Sequence, residues 1–256
     1  MIETVLDPPV FIGASGHPAH AWEAGSSRSR GHSSEWDPWL DDLGRDYPEQ
    51  MLAVGESVGQ HDLVEHGEDG RDLEELRIEM LAWRQALSPD VVARHSDTVV
   101  QRLRSLSEME APGTIGAYVG VRGEIDPVAL LDDPHIQVAL PVTTPGQVLQ
   151  FVVPVGPLVR GPFGIHEPRE GLNVDPMSLS VVLVPLVAAD RKCNRLGHGA
   201  GFYDRTFAGL ITDRSSGPLF IGLCHDLQVV DSLTAREWDV PLDILVTEVG
   251  VIRPKT

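Results

Sequence analysis

Between Ser180 and Leu210 the chain reads SVVLVPLVAADRKCNRLGHGAGFYDRTFAGL, and this segment holds its densest set of groups suited to chemistry. An apolar, β-branched run ends near Val187 and Asp190 follows it. Gly197, Gly199 and Gly201 then alternate with His198 and Ala200 before a helix expected from Tyr203 to Thr212. Strand, glycine loop and helix in that order turn backbone N–H groups and a helix N-terminus towards a phosphate. Glycine suits all three positions because it takes φ > 0 and lets an anion come close to the backbone. No Lys-Ser/Thr pair follows the glycines and their spacing is not GxGxxG, so the segment is neither a P-loop nor a dinucleotide fingerprint. Arg195 beside the loop supplies a cation for phosphate. Asp204, just inside the helix, supplies a carboxylate of the kind that holds Mg²⁺ against a polyphosphate. On residue types alone a plainer reading stands beside this one: three glycines in a tight turn, Asp190 capping it and Tyr203 in the core. His166 and His198 invite a general-acid reading, but phosphate binding requires no general acid, and Cys193 reads as a packing residue.

These groups need elements to hold them. In DLEELRIEMLAWRQAL, Leu73, Leu76, Met80, Leu81, Trp83 and Leu87 recur at helical spacing with acids in the first turn, which predicts a helix over 72–87. Arg77 lies on it, and an arginine on an amphipathic helix ordinarily reads as a solvated charge. Ser88 as cap and Pro89 at the first helical position predict a second helix running to about Ser105. Beyond Pro112 the apolar runs are short, β-branched and bounded by Pro or Gly, which predicts strands in TIGAYVG, HIQVALPVT, VLQFVVPV, SVVLVPLV, LFIGLC and DILVTEVGVI. Further helical segments are expected at 127–132 and 233–238. Near-continuous apolar strands such as SVVLVPLV belong to a sheet covered on both faces, hence an α/β layered domain. Glu124, in GEIDP, reads by itself as a cap on the following short helix.

Composition limits the functions open to the chain. With 38 acidic against 20 basic side chains, a net charge of −18, it lacks the clustered cations that a nucleic-acid footprint or an anionic membrane surface requires. The imbalance is concentrated in residues 1–70, which carry 14 acidic and 3 basic side chains. That stretch is rich in Gly, Ser, Pro and His without sustained periodicity. The expected organisation is therefore an irregular, largely disordered acidic extension over 1–70 and a folded domain over 71–256. Trp36, Trp39 and Leu40 read first as sticky residues on a flexible tail, with docking on a protein partner or on the domain itself as the alternative. Lys192 and Lys255 are the only lysines, so arginine carries nearly all the positive charge. Two cysteines outside any CxxC spacing, no basic-then-apolar leader and no apolar run of roughly 18 residues predict a cytoplasmic protein, neither exported nor inserted in a membrane.

RLGHGAGFYDR resembles the signature of 5-formyltetrahydrofolate cyclo-ligases, also called methenyltetrahydrofolate synthetases: RLG, any residue, G, any residue, G, two aromatics and D. The resemblance extends to ELRIEMLAWRQALSP, GEIDP and FGIHEP, and to the closing segment DLQVVDSLTAREWDVPLDILVTEVGVIRP, in order from about residue 71 to 253. It implies a three-layer α/β/α domain with a mainly parallel, Rossmann-like sheet. It also implies a ligase that uses ATP and Mg²⁺ to close 5-formyltetrahydrofolate to 5,10-methenyltetrahydrofolate, releasing ADP and phosphate. By the same resemblance, Arg77, Arg195 and the loop Leu196, Gly197, His198, Gly199, Ala200, Gly201 and Phe202 bind ATP. Glu124 anchors the pterin, Tyr203 and Phe202 stand between nucleotide and folate, and Arg195 and Tyr203 serve catalysis. Asp204, with Asp190, serves the metal.

The sequence departs from that pattern at named positions. A lysine expected on the first helix falls on Leu73, with only Arg71 or Arg84 near enough to stand in, and arginine is not equivalent to lysine at a tight phosphate site. Cys193 replaces a glycine, Ala188 and Ala189 replace a small-aromatic pair, and Phe202 lacks the usual hydroxyl. These departures motivate an alternative expectation: a diverged paralogue that binds folate or nucleotide in a regulatory or pathway-specific role with little turnover.

Overall fold

The Ser88 side chain accepts a hydrogen bond from the Val91 N–H, and Pro89 sits in the first turn, so the second helix begins where the sequence places it. The structure is a computed structural model that describes residues 71–110, 113–161, 163–210 and 217–254. In it, α1 (Arg71–Ala86) and α2 (Pro89–Arg104) match the expected helices to within one residue at each end. The acidic extension over 1–70 lies outside the described residues, as do Lys255 and the side chain of Arg71.

The strands, in chain order, are β1 (Thr114–Gly116), β2 (Gln137–Val142), β3 (Gln150–Pro154), β4 (Leu158–Arg160), β5 (His166–Pro168), β6 (Gly171–Val174), β7 (Val181–Pro185), β8 (Ala188–Asp190), β9 (Arg195–Leu196), β10 (Leu219–Leu223), β11 (Val229–Val230), β12 (Ile244–Val246) and β13 (Val251–Ile252). Eight of them form one sheet in the order β13-β12-β10-β7-β1-β2-β3-β6. Its middle is parallel, from β12 through β10, β7 and β1 to β2, and the antiparallel strands β13, β3 and β6 close its two edges. The predicted run DILVTEVGVI is two strands, because Thr247 Oγ1 accepts from the N–H groups of Val249 and Gly250 and turns the chain back.

The mainly parallel sheet has apolar layers on both faces, as SVVLVPLV requires: Val181 to Val184 are all buried. On one side Ile115, Leu183, Ile221 and Val246 pack with Val99 and Leu103 of α2. On the other, Phe207 stands between Phe151 and Phe220, with ring centroids 6.3 and 5.0 Å away. Phe207 also explains why the helix expected over Tyr203 to Thr212 is shorter. α3 (Phe202–Thr206) ends at Phe207, whose ring is drawn into this core, and a 3₁₀ turn over Ala208–Leu210 follows. The helix expected over 233–238 is not formed. The Arg236 N–H, which such a helix would bind to the Ser232 carbonyl, is taken instead by the Asp239 carboxylate.

Candidate active site

A cavity of about 620 Å³ opens beyond the C-terminal ends of β1, β2 and β7. The chain leaves β1 towards β2 on one side and later fills β7 on the other, so this is the point where strand order reverses and where open α/β sheets form their ligand crevice. Arg77, Glu124, Arg195, Tyr203 and Asp204 all line it, together with the whole loop from Leu196 to Phe202. Residues from α1, the β1–β2 connection and the β9–α3 segment therefore meet in one cleft.

The glycine loop is not fed directly by the buried strand. The hairpin β8–β9 intervenes, and Asp190 builds it. The carboxylate of Asp190 is fully buried. It accepts from the N–H groups of Lys192, Asn194 and Leu233 and from the Asn194 side-chain amide. Asp190 is absent from the cavity lining, so the metal role expected for it is replaced by a structural one: its acceptor positions are filled by donors. Cys193 sits in the same turn with φ of 66°, in the left-handed region where the resemblance expects glycine. Its thiol is pushed up to about 11, first by burial and then by Asp190, which makes it an inert packing group.

Within the loop, Gly199 (φ 93°) and Gly201 (φ 61°) use the freedom that glycine gives, whereas Gly197 does not. Gly197 is held instead by its carbonyl, which accepts from Arg77 Nε at 3.0 Å. Arg77 also pairs with Glu74 on its own helix, so it is a half-buried clasp between α1 and the loop and not a solvated charge. Arg195 pairs with Asp204, whose Oδ1 also accepts from the Val240 N–H at 3.2 Å. α3 is only five residues long, too short to supply the helix-terminus contribution that the strand–loop–helix pattern suggests. Phe202 is stacked by Arg205, 5.3 Å from its ring, and by Phe163 edge-on at 5.7 Å.

Glu124 does not cap the helix after it. The Val128 N–H goes to Asp126, which also accepts from Gly120. Glu124 is buried at the cavity wall, with Oε2 accepting from the Val121 N–H at 3.0 Å. Its Oε1 lies 3.6 Å from Arg84 and 3.3 Å from His198 Nε2. Burial raises the Glu124 carboxyl above the usual range, and the Arg84 guanidinium is the main influence holding it down. Arg84 is 1% exposed and donates to the carbonyls of Leu186 and Arg122, both at 3.2 Å. It is thus a buried support for Glu124, and neither it nor any described lysine replaces the cation missing at Leu73, which lines the cavity. His198 is lowered to about 4, chiefly by burial and then by Arg84, and stays neutral near pH 7. Burial, followed by the Glu124 charge, raises the Tyr203 phenol well beyond its ordinary range, so Tyr203 remains a protonated hydroxyl.

A family model for the 5-formyltetrahydrofolate cyclo-ligase family matches residues 70–248. The chain belongs to this family. It is 37% identical over 183 residues to a 5-formyltetrahydrofolate cyclo-ligase of Haemophilus influenzae, spanning 68% of this chain and 96% of that protein. A cyclo-ligase of Escherichia coli is 33% identical over 173 residues, 64% of this chain and 93% of the relative. In solved structures, the fold is similar to the 5,10-methenyltetrahydrofolate synthetase of Aquifex aeolicus, with TM-score 0.63 and 32% identity over 72% of this chain and 93% of that one. The cyclo-ligase signature RLGHGAGFYD is the segment that forms one wall of the cleft. Arg84, Tyr118, Arg122 and Trp238 contribute to the site or its support without any signal in the signature. Arg122 came closest to giving one, since Arg-Gly before Glu124 marks the tight turn where Arg122 adopts φ of 53°.

Proposed function

We propose that this chain closes 5-formyltetrahydrofolate to 5,10-methenyltetrahydrofolate at the expense of ATP, in the cleft between α1, the Glu124 turn and the glycine loop. The observation that carries the reading is the convergence of an anion-binding loop with two arginines and a buried carboxylate on one cavity. A formamide is a poor electrophile. Transfer of the γ-phosphoryl group to the formyl oxygen releases ADP and turns that oxygen into a leaving group. N10 then attacks the formyl carbon, loses its proton, and the carbon–oxygen bond breaks to free phosphate. The protein's part is positioning and charge neutralisation. Arg77, Arg195 and the backbone from Gly197 to Gly201 hold the triphosphate. Glu124, kept ionised by Arg84, accepts paired N–H bonds from the pterin edge. Phe202 and the Tyr203 hydroxyl separate and orient the two substrates.

Asp204 lines the cavity and accepts from Arg195 and from the Val240 N–H through Oδ1, which fits the usual donor set of Mg²⁺: one carboxylate completed by substrate phosphates. Bound there, the ion would neutralise charge on the phosphoryl group in transfer. Among the described residues no helix is long and apolar enough to cross a membrane. The two buried free cysteines support a reducing compartment, the cytoplasm. The Leu73 position favours a second reading, a folate- or nucleotide-binding paralogue without turnover. Calorimetric titration with Mg-ATP and 5-formyltetrahydrofolate, followed by a phosphate-release assay, separates the two. Binding of both with phosphate release supports the enzyme, binding without release supports the paralogue, and binding of neither overturns both.

A further inference from the structure

Away from the cleft, three side chains distant in sequence meet in the interior: His95 in α2, His225 two residues beyond β10, and Glu248 two residues beyond β12, all buried. His95 Nδ1 and His225 Nδ1 are 2.9 Å apart, and His95 Nδ1 is 3.6 Å from Glu248 Oε1. We propose that His95, His225 and Glu248 form a binding site for a divalent cation of the zinc class, which ties α2 to the C-terminal ends of β10 and β12.

The donor set fits. Two imidazole nitrogens and one carboxylate oxygen suit zinc and its first-row neighbours far better than Mg²⁺, and they leave a fourth position for water. The spacing fits as well. The three ligand atoms lie within 4.8 Å of one another, so a point equidistant from them is at most about 2.4 Å from each, close to the roughly 2.0–2.2 Å of zinc bonds to nitrogen and oxygen.

The surroundings orient the ligands in the manner metal sites use. His225 Nε2 is 2.8 Å from the Gly123 carbonyl, which fixes the proton on Nε2 and leaves the Nδ1 lone pair facing His95. Glu248 accepts from the Asp226 N–H through both oxygens, at 3.2 and 3.0 Å. With His225 Nδ1 as acceptor, the proton between the rings belongs to His95 Nδ1. Metal binding would move it to Nε2 of the same ring, a tautomer exchange with no net proton lost. The charged neighbours are Asp226, Arg84, which acts on His225, and Arg102, which donates to the Glu248 carbonyl oxygen at 3.1 Å. The Gly123 contact places the ion's support one residue from Glu124, so the site would also stiffen the turn that carries that carboxylate.

The test uses the full chain, loaded with Zn²⁺, freed of loose metal by gel filtration and assayed by elemental analysis, with Co²⁺ absorption as a second readout. Expected are about one equivalent per chain and a cobalt spectrum of a low-coordinate nitrogen and oxygen site. His225→Gln and Glu248→Gln should each weaken zinc binding at least tenfold, while Asp204→Ala leaves it unchanged. His95→Asn, the smaller alteration, serves where His225→Gln fails to fold. Binding below about a tenth of an equivalent by the folded wild type, wild-type affinity in the ligand variants, or loss of the metal with Asp204→Ala would each overturn the proposal.

Discussion

Replacing Arg84 by Gln tests the link between α1 and Glu124, the carboxylate proposed to hold the pterin. Arg84 is 1% exposed, lies 3.6 Å from Glu124 Oε1, and is the main influence opposing the burial that raises the Glu124 carboxyl. At an effective dielectric of about 20, unit charges at that separation attract by about 4.6 kcal/mol, a large influence in favour of the ionised carboxyl. Without Arg84, the Glu124 carboxyl should rise further and, where it protonates, lose one charge-assisted interaction with the pterin, worth about 1.5–3 kcal/mol, or roughly 10- to 150-fold in KM. The sign follows from the binding form. A raised carboxyl is ionised only at higher pH, so the defect should be deepest at pH 6–7 and shrink towards pH 9. The assay is methenyl formation against 5-formyltetrahydrofolate concentration across that range. The background carries His198→Ala, since Arg84 also acts on His198. Circular dichroism serves as the folding control, and KM for ATP should stay within about threefold of the His198→Ala parent. An unchanged folate KM at pH 7, or an increase that persists undiminished to pH 9, would refute the reasoning.

Three further outcomes are expected. Leu73→Lys puts a cation on the cavity wall, where a phosphate contact of about 0.5–1.5 kcal/mol should lower KM for ATP roughly two- to twelvefold, read by steady-state kinetics. Asp190→Asn sets an amide against N–H donors and should lower stability by about 2–4 kcal/mol in urea denaturation while leaving the Mg²⁺ dependence of turnover unchanged. His198 and His225 are both lowered to about 4 in the folded protein against an ordinary 6.5, so the unfolded chain binds protons first as pH falls. Stability from these residues is therefore present above pH 6.5 and is lost between 6.5 and 4, measurable as a falling urea midpoint from pH 7 to pH 5.

What the sequence made legible was whatever has a local signature. α1 and α2 follow from periodicity and from the Ser88-Pro89 cap. The central strands follow from apolar runs, and the cleft wall from a contiguous motif. Long-range decisions were hidden. The side chain of Phe207 ends α3 because a core slot exists between two other rings, and the Asp239 carboxylate claims the Arg236 N–H that a helix over 233–238 would need. Arg84 looks like any polar residue on an amphipathic helix until the fold buries it against Glu124, 40 residues later. His95 and His225 are separated by 130 positions, and no spacing rule links them. The short antiparallel pair β4–β5, with little apolar alternation, gave no signal either.

The most direct measurement of the central claim is turnover itself: purified chain, ATP, Mg²⁺ and 5-formyltetrahydrofolate, followed by methenyl absorbance with phosphate assayed in parallel. Absorbance that grows with folate, requires ATP and is matched by about one phosphate per product is the expected result. Folded protein that yields neither absorbance nor phosphate, beside an active Escherichia coli relative under the same conditions, would contradict it.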